Sequence, residues 1–393
     1  MWQPVPVDTT ARDILEIGVV LLAAAGAGWL ARLAGLPAVL GYLAVGLLVS
    51  PFTPGYVADR HQLQLFADIG VVLLLFEVGI EVDPLRLPRG KGRLLWVAPL
   101  HTLGVASAAA VVAMAAGLTT RGGMVVGLAV ALSSSVVVVN ITRSRRRTTN
   151  RATDETLLGW SVLQDLTGVA LSAGLLASIG INGRPLWLTA LLVPAFGAVA
   201  TAAAWLLPHA LRQVRDEPDL FLVVSLATGL ALAGLGARVF GVPLALAAFI
   251  SGLAVSEGPA TVAARRRLLP FREVFAVLFF VAVGSLIDPA AIPAALPWIG
   301  LVLGLVVMVK AGSAYGLGRL VRLPEVRPWQ VAVGLGQMGE FSFVLASIGV
   351  AEHLLSAQVY TAILCVVVVT IALATLAVRW GPWPRAVREA ARA

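Results

Sequence analysis

The chain has 393 residues, of which 59% are hydrophobic and only 13% charged, against about 25% charged in soluble globular domains. That balance excludes an ordinary water-soluble enzyme, a disordered chain and a basic nucleic-acid-binding domain, since basic charge meant for phosphate lies on a polar face and not between long apolar runs. One cysteine, Cys365, excludes an internal disulfide and a cysteine-based metal site.

A membrane-spanning helix needs about 20 apolar residues. Apolar runs fall at roughly 13–33, 36–50, 62–80, 93–117, 122–142, 153–180 and 185–208, and continue at roughly 218–238, 242–257, 271–287, 294–319, 327–349 and 357–380. The start, MWQPVPVDTTARD, lacks the basic n-region of a cleaved signal, so the first run reads as a retained span. The expected fold class is an all-α integral membrane protein of about thirteen transmembrane helices, a single domain over 1–393 with no room for a large soluble one.

Charge tests this count. With the N-terminus outside and the C-terminus inside, 23 basic residues fall in inside connections and five in outside ones, leaving Lys310 within a span. That bias is the positive-inside pattern, and a wrong helix count would destroy it. The basic excess is therefore a topology signal. The clusters RSRRR (143–147) and ARRRL (264–268) also suit anionic lipid headgroups.

An ionisable side chain at bilayer depth is costly and by default marks a functional site. Asp165 lies mid-span in TLLGWSVLQDLTGVALSAGLL, beside Gln164, and Lys310 lies mid-span in GLVLGLVVMVKAGSAYGLG. The chain has only two lysines, Lys91 and Lys310, against 27 arginines; keeping a compact, titratable ammonium at 310 suggests that size or titration matters there. Asp165 is a candidate monovalent-cation ligand and proton carrier. Gln164 suits either a carbonyl ligand or a structural hydrogen bond. Glu340 follows a Gly-rich stretch, and Glu77 and Asp68 lie in the third run as candidates for gating or helix pairing. His101 reads as a satisfied buried histidine.

Two runs look interrupted. The fifth carries Ser133, Ser134 and Ser135 at mid-depth, and the twelfth carries Gly334, Gly336 and Gly339 around Gln337. Serines can bond to helical carbonyls, glycines weaken a helix, and broken helices at the midplane mark secondary transporters. The two runs are seven spans apart and so cross the membrane in opposite directions, as an inverted repeat requires. The expected repeats are 13–180 and 218–380, with 185–208 as linker. Residues 334–339 also match GxGxxG, but a dinucleotide fingerprint needs a preceding strand, and this one lies inside a span.

The stretches GYLAVGLLVSP (41–51), GVVLLLFEVGIEVD (70–83), GLAVALSSSVVVV (127–139), LLGWSVLQDL (157–166), ALAAFISGLAVSE (245–257), PFREVFAVLFFVAVGSLID (270–288) and GLGQMGEFSFVL (334–345) together resemble the Kef-type monovalent cation:proton antiporters of the second cation:proton antiporter superfamily. The resemblance implies a homodimer and a core bundle with two crossed discontinuous helices, the sodium/proton antiporter-like fold. It implies that Asp165 is the ion-binding aspartate, with Gln164 where other antiporters have an acidic residue or Asn. Lys310 matches the basic residue of the partner span, Ser133 to Ser135 the first broken helix, and Gln337 and Glu340 the second. Kef-type proteins often carry a C-terminal nucleotide-binding regulatory domain. This sequence ends in RWGPWPRAVREAARA, so no such domain is expected, and a separate soluble regulatory subunit stays open as a partner.

The function expected is secondary active exchange of K⁺ or Na⁺ for protons by alternating access in the cell membrane, without cofactor, enzymatic activity or nucleic acid. A gated cation conduit and a non-transporting ion sensor on the same scaffold remain alternatives. An organic-anion carrier fits poorly with Asp165.

Overall fold

The computed structural model describes residues 7–50, 52, 69–70, 72–73, 76, 92–134, 137–138, 141–142, 149–179, 186–213, 217–242, 244–255, 273–321, 325–339 and 341–380. Among them every regular element is helical. Each of the thirteen predicted apolar runs contains helix. The first helices are α1 (Val7–Ala34) and α2 (Ala38–Leu48), followed by α3 (Leu94–Ala115) and α4 (Thr120–Ala131). Next come α5 (Arg151–Ile179), α6 (Leu186–Gln213), α7 (Pro218–Arg238) and α8 (Leu244–Val255), then α9 (Glu273–Ser285). A 3₁₀ turn (Pro289–Ala291) leads into α10 (Ile292–Gly304), a π-helical segment (Leu305–Ala311) and α11 (Gly312–Leu320). The last helices are α12 (Pro328–Leu335), α13 (Phe341–Ala351) and α14 (Ala357–Trp380).

Four stretches among the described residues, Ile14–Ala34, Leu94–Ala115, Pro289–Leu320 and Ala357–Ala377, are each long and apolar enough to cross a bilayer. Helix α4 has 12 residues and rises only about 18 Å, and α12 has 8 and rises about 12 Å, each well short of the roughly 30 Å hydrocarbon core. Irregular backbone at that depth is tolerated only where protein or a water-lined cavity covers it. The two breaks are covered by each other and by α3, α5, the π segment and α14.

The core that encloses them draws on α3, α4, α5, the π segment and α12–α14, with Trp160, Met338 and Phe343 among its largest fully buried side chains. Around the periphery the polarity of a soluble protein is inverted: Leu22, Trp96 and Met308 point outward, each at least 75% exposed, as suits a surface whose solvent is lipid. With no hydrophobic drive between helices in lipid, close approach rests on small residues. Helices α2 and α9 meet this way. A Cβ on Gly46 would stand 2.1 Å from the Val281 carbonyl oxygen, and one on Gly284 2.3 Å from that of Leu43.

This contact makes a prediction. Gly→Ala inside a helix ordinarily gains about 1 kcal/mol of propensity, and Gly300→Ala, with open space around it, is expected to be neutral or stabilising. Gly46→Ala should instead cost about 1–3 kcal/mol, because the clashing atom is backbone. Thermal unfolding of both variants in detergent micelles checks the contrast.

Candidate functional site

Helix α4 is pinned at its start by Thr119, whose hydroxyl accepts from the Gly122 N–H at 3.2 Å. It stops at Ala131 because Leu132 turns to extended backbone (φ −85°, ψ 134°). Ser134 then caps the next helical stretch: its hydroxyl accepts from the Val137 N–H at 3.3 Å and its carbonyl from the Val138 N–H at 3.2 Å. Opposite, α12 stops at Leu335, with Gly336 to Gly339 outside any helix. The sequence placed Gly334 in this break; it belongs to α12. Its missing side chain instead admits Leu157 of α5, whose Cδ2 would lie 2.7 Å from a Cβ there.

A helix end leaves carbonyls without intrahelical partners, and in the membrane they must be satisfied by protein. Each break satisfies the other. Ser133 Oγ donates to the Leu335 carbonyl at 2.8 Å, Ser342 Oγ to the Ala129 carbonyl at 2.7 Å, and the Gly339 N–H to the Leu132 carbonyl at 3.1 Å. Gln337 clasps the backbone of Ser134 on both sides, accepting from its N–H at 3.0 Å and donating to its C=O at 3.1 Å, with a further contact to the Gly334 carbonyl at 3.3 Å. Gly339 must be glycine for this crossing: a Cβ would stand 2.6 Å from the Ser133 carbonyl carbon and oxygen.

Lys310, fully buried, closes the crossing. Its ammonium donates to the Leu132 carbonyl at 2.8 Å and the Gln337 carbonyl at 2.7 Å, one from each break. Each helix C-terminus carries roughly half an elementary negative charge, so one ammonium offsets the pair. An ammonium has three N–H donors, which leaves one beyond these carbonyls, and the Asp165 carboxylate is the charge that acts on it.

Asp165 is buried on α5. Gln164 beside it donates its amide to the Ala131 carbonyl at the end of α4, while its Oε1 is buried without a hydrogen-bond partner within the protein. Of the two roles that the sequence left open for Gln164, the structural hydrogen bond is present. At the far end of α5 the Asn150 amide accepts from the Thr153 N–H at 3.0 Å and donates to the Glu325 carbonyl at 2.7 Å. Thr153 Oγ1 accepts from the Arg327 N–H at 3.1 Å. The helix that carries Asp165 is thus tied to the start of α12.

The structure brings Asp165, Gln164, Lys310, Ser133, Ser134 and Gln337 together. Ser135, Glu340, Glu77 and Asp68 lie outside the described residues, as do the clusters at 143–147 and 264–268. Two residues join the site that sequence reasoning had not put there. Ser161 lies four residues before Asp165, about 40° round the same face of α5, and its buried hydroxyl has no hydrogen-bond partner within the protein. His101 of α3 is only half satisfied: Nε2 donates to the Lys310 carbonyl at 3.1 Å, but Nδ1 is buried with no such partner. No group of three or more His, Cys, Asp or Glu side chains able to hold a metal ion occurs among the described residues.

Fold and site together define a multi-span membrane protein built round two crossed discontinuous helices with a buried Asp and Lys at their crossing. Residues 19–381 match the family described as "Sodium/hydrogen exchanger, transmembrane", and the chain belongs to that family. It is 29% identical over 378 residues to the Escherichia coli (strain K12) protein named "Putative cation/proton antiporter YbaL". That match covers 90% of this chain and 65% of the relative, so the chain spans less than two thirds of the relative's length. Among solved structures it is similar to the sodium proton antiporter MjNhaP1 from Methanocaldococcus jannaschii at pH 8, with a TM-score of 0.69 and 16% identity over 94% of this chain and 96% of that one. The fold is thus shared with MjNhaP1 at low sequence identity.

Gln337→Leu tests the crossing. The near-isosteric side chain leaves the Ser134 N–H buried without its partner and removes one of the two bonds to the Ser134 carbonyl, which keeps the Val138 N–H, at an expected cost of about 1–3 kcal/mol. A large drop in the thermal midpoint of the purified protein is predicted, with an unchanged midpoint counting against the clasp.

Proposed function

We propose that this chain is a secondary active transporter of the Kef type that exchanges a monovalent cation, K⁺ or Na⁺, for protons by alternating access around Asp165. The observation that carries the reading is a buried Asp165 beside a buried Lys310 whose Nζ bonds the carbonyls at the crossing of two half-helix ends. One carboxylate does not hold a proton and a cation together, so binding of one excludes the other, and exchange across the membrane follows from that competition. Hard cations take oxygen ligands. Asp165, the Ser161 hydroxyl and the Gln164 Oε1 offer three on one region of α5. Lys310 neutralises Asp165 when the site is empty, and the Leu132 and Gln337 carbonyls hold the ammonium when a cation or proton takes its place. A single site carboxylate gives one-for-one, electroneutral exchange; proton release from Lys310 as well would make it electrogenic.

The wider arrangement is part of the same proposal. The reciprocal bonds of Ser133 to α12 and Ser342 to α4 support two inverted repeats, approximately 13–180 and 218–380, joined by the helix at 185–208. The distribution of Arg and Lys supports a cell-membrane protein with its N-terminus outside and its C-terminus in the cytoplasm. A homodimer, gating or helix-pairing roles for Glu77 and Asp68, a site role for Ser135 and Glu340, and a separate soluble regulatory subunit complete the reading.

Asp165→Asn in proteoliposomes loaded with a pH dye is expected to abolish the proton movement that follows addition of K⁺, Na⁺, Li⁺ or Rb⁺. Normal exchange in that variant ends the proposal. Ser161→Ala should preserve exchange but raise the apparent KM for the cation roughly tenfold, the effect of losing about 1.4 kcal/mol of ligation.

A further inference from the structure

The segment that carries Lys310 is π-helical over Leu305–Ala311, between two ordinary α-helices. A π turn carries an extra residue relative to an α turn, and one residue of register is about 100° of direction round a helix. The direction in which the Lys310 side chain leaves its helix is therefore set by keeping this segment π-helical. π segments are rare and cost hydrogen-bond geometry, so something outside the ladder must hold this one.

We propose that His101 is the positioning residue that does so, and that it registers Lys310 against the helix of Asp165. Its Nε2–H donates to the Lys310 carbonyl at 3.1 Å, since a carbonyl oxygen only accepts. Ser313 Oγ donates to the same carbonyl at 3.1 Å and also to that of Val309. On its other side the His101 ring stands edge-on to Trp160, with centroids 5.4 Å apart at 88°. Trp160 is fully buried on α5, five residues before Asp165. One imidazole thus touches both the backbone of Lys310 and the helix of its carboxylate partner, and a change in spacing between α5 and the π segment acts on it directly. The effect on exchange rests on the role proposed above for Lys310; the positioning itself does not.

The composition supplies a direct probe. With only Lys91 and Lys310 in the chain, Lys91→Arg leaves a single lysine. Biosynthetic [ζ-¹⁵N]lysine then gives one ammonium signal by solid-state NMR in bilayers. In that background His101→Met is expected to move the Lys310 signal and lower exchange about fivefold, the effect of one net hydrogen bond. His101→Gln, which returns a donor near the Nε2 position, should restore both. An unmoved signal in His101→Met, or a Gln variant that folds yet behaves as Met does, overturns the inference. Should His101→Met fail to fold, a smaller change at the same position keeps the test. His101→Asn, which shortens the reach to that carbonyl, is then the second variant: it is expected to move the same signal, and its failure to do so overturns the inference. A moved and rescued signal with unaltered exchange supports the positioning and instead sinks the exchange role given to Lys310.

Discussion

Two hydrogen bonds from one ammonium, Lys310 Nζ to the carbonyls of Leu132 and Gln337, are the interaction on which this architecture depends. A helix that stops inside a bilayer exposes unpaired carbonyls and the negative end of a dipole where water is absent. Two such ends meeting tip to tip would repel. A single buried positive charge between them satisfies both ends at once, and a compact ammonium does this in a space where a guanidinium would demand its own planar fork. The rest of the crossing repeats the same economy, with Ser133, Ser342 and Gln337 each giving donors to the opposite break.

From that constraint the placement of Asp165 follows. Its neighbour Gln164 is bonded to the last carbonyl of α4, so the carboxylate is indexed to the same break that Lys310 closes. Asn150 and Thr153 tie the other end of α5 to the approach to α12. Carboxylate, ammonium and both breaks therefore belong to one bonded unit, within which electrostatic coupling depends on geometry held at several points. Side-chain oxygens without hydrogen-bond partners in the protein, those of Ser161 and Gln164, lie on the helix that this unit fixes.

Much of this was legible in the sequence because the membrane makes polar groups expensive. Asp165 and Lys310 stand out in apolar runs for that reason alone, and SSS and GLGQMG interrupt runs that otherwise have no reason to break. The contributions that escaped are those whose cost is small or whose cause is tertiary. A serine at depth can bond back to its own helix, so Ser161 carries little signal, although its spacing of four from Asp165 could have been noticed. The π segment has no local mark: LVVMVKA contains neither proline nor an evident breaker, and its register answers to His101 and Ser313. The sequence alone suggests a satisfied histidine at His101, and only the fold reveals that one nitrogen is bonded and the other is not. Gly334 looked like part of a break because glycine weakens helices, but its role is to admit Leu157.

The competition of proton and cation for one carboxylate is the centre of this account, and calorimetry of cation binding to the purified protein tests it most directly. Titrations with K⁺ and with Na⁺ in two buffers of different ionisation enthalpy report the protons released per cation bound. The account predicts release close to one proton per cation for the transported ion, with no such release in a protein whose Asp165 is replaced by Asn. Cation binding that releases no proton from the unaltered protein would contradict it.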